Sequence, residues 1–424
     1  MNRRTFISSS FLLALAAHLG RAQAERRAPR IILCSAWQVV NIGDIAHTPG
    51  ALTLLERYLP DAQITLWAFN PLTPPARELI MRRFPRLRIL ESKLTKDGQP
   101  ADAATNATLD EADFFLHGSG PATLGWAHAE AFARRTGRGF GIYGVTYGLY
   151  GTPERETLSR ARFVYFRDSV SLARAKQVGV QAPIMEWAPD TAFAFDARND
   201  ERAAAFLATH DLAPGTFLCC ISRYRHTPFW LIPSKGVAVN PERQARNEEM
   251  KVVDHAPLLA AIIAVVRKTS MKVLLCPEDE TQMAITREML LERLPDYVRK
   301  RVIWRETFWL PDEAVSVYQR SAGLFGHEMH SPIMCIGAGI PAIVCRWEEQ
   351  SSKGYMWRDI GLGDWLFDLD IPAEAARVEA AVLALAQAPE IARRKAEVAR
   401  DFVKQRFAAT IPNIARELPG AAGV

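Results

Sequence analysis

The segment Gly-His-Glu-Met-His-Ser-Pro, residues 326–332, gathers the most reactive side chains of the sequence into the shortest space. His327 and His330 flank Glu328 and Met329, an H-E-x-H spacing. That is one residue short of the H-E-x-x-H pattern that sets two imidazoles on one helix face for zinc. No third ligand is evident around it, so neither a metal nor a cofactor is expected. Ser331-Pro332 reads as a helix start, an oxygen-bearing cap followed by proline at the first helical position. The helix that follows, 333–338, is short and apolar, and Gly339 and Pro341 stop it. Strand-like runs precede it (322–325) and follow it (343–344). A histidine is thereby placed at the positive end of a buried helix, at the carboxyl end of a strand, where open α/β sheets bind anions. His330 suits an acid, a base or an anion contact, Glu328 is the carboxylate beside it, and Ser331 is a further contact for an anionic donor.

Other candidates recur at strand ends. Asn41-Ile42-Gly43-Asp44 follows the first strand; Gly43 permits close backbone approach, and Asp44 can bind a sugar hydroxyl or simply cap a helix, as can Asn41. His117-Gly118-Ser119-Gly120 follows another strand, with His117 a base, a hydroxyl donor or a satisfied turn histidine, and Gly118 and Gly120 open to a ligand. Arg167 is a cleft cation or the partner of Asp168 or another structural acid; Asp190 closes the last strand of the first half. Arg223 and Arg225 follow the first strand of the second half, suited to bidentate capture of carboxylate or phosphate. Lys353 lies in the loop after the 343–344 strand and is an anion ligand or a surface lysine.

These positions need a frame. Strands are read at 30–36, 64–69, 86–90, 112–118, 139–145 and 162–168, alternating with helices, as in a doubly wound parallel sheet. The pattern pauses over 196–214 and restarts at 216–222. A long polar loop over 224–252 is read before a helix over 255–268. Strands at 271–276 and 301–304 follow, and the chain ends in helix from about 372 to 405. The expected fold is two doubly wound Rossmann-like α/β domains, 27–211 on the acceptor side and 212–424 on the donor side, facing a cleft.

At 424 residues the chain is too long for a single core. Arg3-Arg4 lead into an apolar run over 6–19 and an Ala22-Gln23-Ala24 cleavage pattern. That is the form of a twin-arginine export signal, cleaved after Ala24, with a periplasmic destination. The run is too short for a membrane span, and none is expected in the mature chain. Residues 1–24 hold three arginines and no acid, so the net charge of +5 falls to +2 in the remainder, with no basic block for nucleic acid. The six cysteines form no metal-type C-x-x-C pair and read as buried apolar residues.

Taken in order, NIGD (41–44), ADFFLHGSG (112–120), YFRDSVSLARAKQVG (165–179), PDTAF (189–193), ISRYR (221–225) and HSPIMCIGAGIPAIV (330–344) resemble the polysaccharide pyruvyl transferase family. The resemblance implies a glycosyltransferase-B-like architecture. It implies transfer of the enolpyruvyl unit of phosphoenolpyruvate, or a related anionic donor, to two hydroxyls of an envelope glycan, as a cyclic ketal. Carried over, His330 is the acid–base group, Arg223 or Arg225 binds the donor anion, and Asp44 with the 118–120 loop holds the glycan acceptor. The family pattern has arginine two places before the histidine, where this chain has Glu328. A carboxylate there opposes an anionic donor by roughly one to four kcal/mol at contact distance. Two alternatives stay open: an exported carbohydrate-binding protein on an inactive transferase fold, and a hydrolase of glycan substituents using Glu328 and His330.

Overall fold

The computed structural model describes residues 27–35, 39–148 and 151–419; the export signal read over 1–24 lies outside them. Among the described residues thirteen strands form two wholly parallel sheets. The first holds β1 (Arg30–Cys34), β2 (Gln63–Ala68), β3 (Arg88–Glu91), β4 (Phe114–His117), β5 (Phe140–Val145), β6 (Val164–Phe166) and β7 (Met185–Trp187), in the order β3-β2-β1-β4-β5-β6-β7. The second holds β8 (Phe217–Ile221), β9 (Lys272–Leu275), β10 (Val302–Trp304), β11 (Gly323–Gly326), β12 (Ala342–Arg346) and β13 (Leu366–Asp368), in the order β10-β9-β8-β11-β12-β13. Both orders reverse direction next to their first strand. That is the Rossmann switch point, and it leaves a crevice beyond the carboxyl ends of the central strands.

Strand alternation divides the interior. Ile31 and Leu33 point into one core and Ile32 and Cys34 into another, as the two-residue period of a strand requires. The first of these cores is continuous with the interior of the second sheet's domain, so the two halves share buried apolar surface. All six cysteines are buried and free, in agreement with their reading as small apolar residues.

Two helix boundaries differ from the sequence reading. The stretch read as loop to residue 252 contains the start of a long helix, Pro241–Lys268, capped by the Asn240 side chain on the Arg243 N–H at 3.0 Å. Its first half is polar because it is exposed, which hid the apolar period that marks a helix. The pause at 196–214 likewise contains a helix, Asp200–Thr209, capped by Asn199. The terminal helix Pro389–Thr410 returns to the first sheet. Thr410 Oγ1 meets the Tyr143 hydroxyl at 2.6 Å, and Phe402 stacks on Trp187 with centroids 6.1 Å apart.

Candidate functional site

Three segments converge where the two sheets face each other. The first is the start of helix α1 (Ile42–Tyr58). The Asn41 side chain caps it, accepting from the Gly43 N–H at 2.8 Å and the Asp44 N–H at 3.3 Å. The second is the loop after β9. It pairs with the first through the backbone, the Ile42 N–H donating to the Glu278 carbonyl (2.9 Å) and the Glu280 N–H to the Val40 carbonyl (3.0 Å). The third is helix α2 (His330–Gly337) after β11. An ideal Cβ on Gly43 would fall 2.0 Å from the His330 Cβ, and one on Gly337 2.0 Å from the Phe193 carbonyl oxygen. Both ends of α2 therefore press on the first domain at positions where only glycine leaves room.

His330 opens α2, and Ser331 is not its cap, contrary to the sequence reading. Glu278, fully buried, does that work from β9's loop: Oε2 accepts the Ser331 N–H at 2.6 Å and Oε1 lies 3.2 Å from His330 Nδ1. A carboxylate at a helix N-terminus satisfies a free N–H and complements the dipole. The Ser331 hydroxyl instead receives the Tyr318 hydroxyl at 3.1 Å. With Nδ1 facing a carboxylate, Nε2 of His330 keeps the free lone pair and has no hydrogen-bond partner. Burial, then Lys353 and His47, depress the His330 pKa to about 3.

Glu328 is buried two residues before it. Its Oε1 accepts from Gln282 Nε2 at 2.7 Å and from Arg223 Nη1 at 3.0 Å, and its Oε2 lies 4.0 Å from Lys353 Nζ. Burial raises the Glu328 pKa, against the pull of Arg223 and Lys353. Burial lowers that of Lys353.

The remaining candidates separate by their partners. Arg225 is buried among three carboxylates, Asp254 (2.9 Å), Asp370 (2.7 Å) and Glu349 (3.1 Å), and ties the helix Pro241–Lys268 to the segments that carry Glu349 and Asp370. Arg223, by contrast, reaches Glu328 and keeps some exposure. His117 donates Nδ1–H to the Gly118 carbonyl (2.6 Å) and accepts the Gly125 N–H on Nε2 (3.0 Å), so both nitrogens hold a turn. Burial takes its pKa to about 4. Gly118 lies against Ser35, and Gly120 bridges to Val145. His327 is a core residue, its Nε2–H donated to the Asp254 carbonyl at 3.1 Å. Arg167 pairs with Asp190 at 2.9 Å, while Asp168 caps its own helix through the Ser171 N–H at 2.7 Å.

Two residues that the sequence reading did not single out complete the junction. Glu278 follows β9 as a carboxylate at a strand's carboxyl end, a signal that was available. His47, one turn beyond Asp44 in α1, is fully buried; its Nε2 lies 3.3 Å from Asp190 Oδ2 and its ring meets that of His330 edge-on at 5.0 Å. Burial pushes the Asp190 pKa up, but His47 and Arg167 together bring it well below the carboxylate range. Asp44, His47 and His330 are the described residues whose ligand atoms lie close enough together to hold a metal ion. A cavity of about 470 Å³ lined by Arg202, Phe206, His210, Arg305 and Glu313 contains none of these residues.

The family model for polysaccharide pyruvyl transferases matches residues 41–349. No curated protein sequence matches the chain significantly. Among solved structures the chain resembles Anabaena Alr3699/HepE in complex with UDP-glucose (TM-score 0.56, 13% identity, 92% of this chain and 98% of that one). It also resembles S. aureus MnaA with UDP (0.54, 10%, 92% and 97%) and Medicago truncatula UGT71G1 complexed with UDP-glucose (0.51, 11%, 91% and 98%). At such identities the likeness shows the fold, the two-domain glycosyltransferase-B arrangement. Among the described residues no helix is long and apolar enough to cross a membrane.

Proposed function

Because the chain belongs to the polysaccharide pyruvyl transferase family, we propose that it transfers a pyruvyl group from phosphoenolpyruvate, or a related anionic donor, to two hydroxyls of an envelope glycan. The observation that carries this reading is the placement of His330, with a free Nε2 lone pair, against Gly43 of the Asn41–Asp44 segment and two residues from Glu328, which holds the cations Arg223 and Lys353. An anionic donor beside His330 opposes the burial and the neighbouring cations that hold its pKa low, and so favours the imidazolium. The imidazolium gives its proton to the donor's methylene carbon, leaving an oxocarbenium centre at C2. The first sugar hydroxyl bonds to C2 and returns a proton to Nε2. The second hydroxyl then bonds to C2 as the C2–phosphate oxygen bond breaks, and its proton leaves with the phosphate. Arg223 and Lys353 are the groups for donor carboxylate and phosphate. Asp44 and the 118–120 loop are the groups proposed for the acceptor.

The test is phosphate release and ketal formation by the purified protein with phosphoenolpyruvate and envelope oligosaccharides. His330→Ala should abolish release while calorimetry still detects the donor. Neither release with any acceptor nor binding of phosphoenolpyruvate would sink the reading. Residues 1–24 are proposed to export the protein to the periplasm; a paired Arg3→Lys, Arg4→Lys change should keep it in the cytoplasmic fraction.

A second reading, an exported glycan-binding protein on an inactive transferase frame, is favoured by one observation. The Arg223 guanidinium is already bound by Glu328. It predicts glycan affinity that survives His330→Ala, with no turnover to lose.

A further inference from the structure

Asp44 and His47 come from one end of the chain and His330 from the other, yet each turns a ligand atom toward a common point. These atoms all lie within 4.8 Å of one another, and all three residues are buried. His330 directs its Nδ1 to Glu278, so Nε2 is the atom left for a ligand, and it has no hydrogen-bond partner. Neither nitrogen of His47 is hydrogen-bonded, although the residue has no solvent exposure. Its Nδ1 lies 4.0 Å from Asp44 Oδ1 and its Nε2 3.3 Å from Asp190 Oδ2, an ion-pair distance without hydrogen-bond alignment. Buried polar atoms without partners are rare in folded proteins and ask for an explanation.

We propose that Asp44, His47 and His330 bind a divalent transition-metal ion of the zinc class. Two imidazoles and one carboxylate are a borderline ligand set that suits such ions and leaves positions open for water or substrate. The neighbouring carboxylates have the arrangement a metal-bound histidine requires, its second nitrogen facing a carboxylate that fixes the ring. Glu278 stands so to His330, and Asp190 to His47, with Arg167 bracing Asp190 at 2.9 Å. Ligands about 2.1 Å from a common ion stand roughly 3 Å apart, so the three side chains draw together by about 1 Å on binding. The H-E-x-H segment contributes only His330, because His327 is turned into the core. An ion held by His330 Nε2 and Asp44 would occupy the lone pair that the proposed acid–base step uses and the carboxylate proposed for the acceptor, so metal binding does not rest on the pyruvyl-transfer reading and competes with it for these atoms.

The test uses the whole protein, purified without a metal-affinity tag, stripped with chelator and titrated with Zn²⁺ and separately with Co²⁺. The expected result is one equivalent of either ion per chain, with visible d–d absorption for Co²⁺. His47→Gln and Asp44→Asn should each weaken binding about 100-fold or more, and Asp190→Asn about 10- to 100-fold. His226→Gln, away from the cluster, should bind as the wild type does. Circular dichroism of each variant separates loss of the site from loss of the fold. Failure of the wild type to bind either ion, or undiminished binding by folded Asp44→Asn and His47→Gln, overturns the proposal. No donor or acceptor enters the titration. A chain that binds zinc without transferring pyruvate therefore keeps this site and loses the functional reading, and the converse result separates them the other way.

Discussion

His330 occupies the volume that a side chain at Gly43 would need: a Cβ there would lie 2.0 Å from the Cβ of His330 and 2.1 Å from its Cγ. One domain's helix start and the other's histidine are therefore in backbone-to-side-chain contact. Gly43→Ala must displace His330 or part the domains. Overpacking of this kind costs about 1–3 kcal/mol, and a shift of about 1 Å at a reacting group can cost on the order of a hundredfold in rate. Urea unfolding should show a lowered midpoint, and phosphate release from phosphoenolpyruvate should fall with it. An unchanged midpoint would mean that the junction is looser than the contact implies.

The two arginines of the 221–225 segment should separate by phenotype. Arg225→Ala leaves Asp254, which is buried, without its main partner. Removing one member of a buried ionic group costs about 3–5 kcal/mol. Arg223→Ala strands only Glu328, whose pKa burial already raises and which retains Gln282 as a donor. Denaturation should therefore find Arg225→Ala much the less stable of the two. Donor binding, in the folded proteins, should be lost with Arg223→Ala. Equal stability losses would contradict the assignment of Arg225 as a structural hub.

Acid should weaken the fold before the carboxylates titrate. His117 and His255 are buried and neutral, and burial depresses each from 6.5 to about 4. A depressed histidine binds its proton in the unfolded chain first. Stability is then full above the unfolded value near 6.5 and declines as pH falls toward 4. Each contributes roughly 3 kcal/mol of loss at the low end. Urea midpoints should fall steadily between about pH 6.5 and 4.5, and His117→Gln, if folded, should flatten part of that slope. A midpoint constant across this range would show that the two imidazoles are hydrated.

Much of this was legible in the chain because parallel strands, buried on both faces, read as apolar runs such as Ile31–Cys34 and Phe217–Ile221. Helix boundaries were harder where a helix is solvent-exposed; the polar half of Pro241–Lys268 carries no apolar period. Within the candidate site, His330 and Arg223 are marked in the sequence because motif and strand end coincide. His47 and Glu278 are not, since each acquires meaning only from a contact across the domain junction, and residues 47, 278 and 330 are far apart in sequence. The same distance keeps Asp44 and His47 out of any local pattern built on His330. Ser331 was read as a cap because a cap is a local pattern, while the group that caps α2 comes from another loop.

Glu328 is expected to control how the proposed donor site meets an anion. It is buried against Arg223 and Lys353, the two cations proposed for the donor. Glu328→Gln preserves shape and can still accept from Gln282, but it removes the negative charge. At contact distance that charge opposes an anion by roughly one kcal/mol at the dielectric of water and roughly four at an effective dielectric near 20, and about 1.4 kcal/mol is tenfold in affinity. Sulfate, whose charge is constant across the working range, isolates the protein's own titration. Its affinity should rise about tenfold or more in Glu328→Gln, and the gain should shrink with added salt. Because burial raises the Glu328 pKa, the wild-type protein should approach the variant as pH is lowered from about 8 to 5 and the carboxyl takes up its proton. Glu328→Gln should lack the Glu328 part of that pH dependence. Sulfate affinity that is the same in both proteins at every pH would place the anion site away from Glu328, and with it the donor.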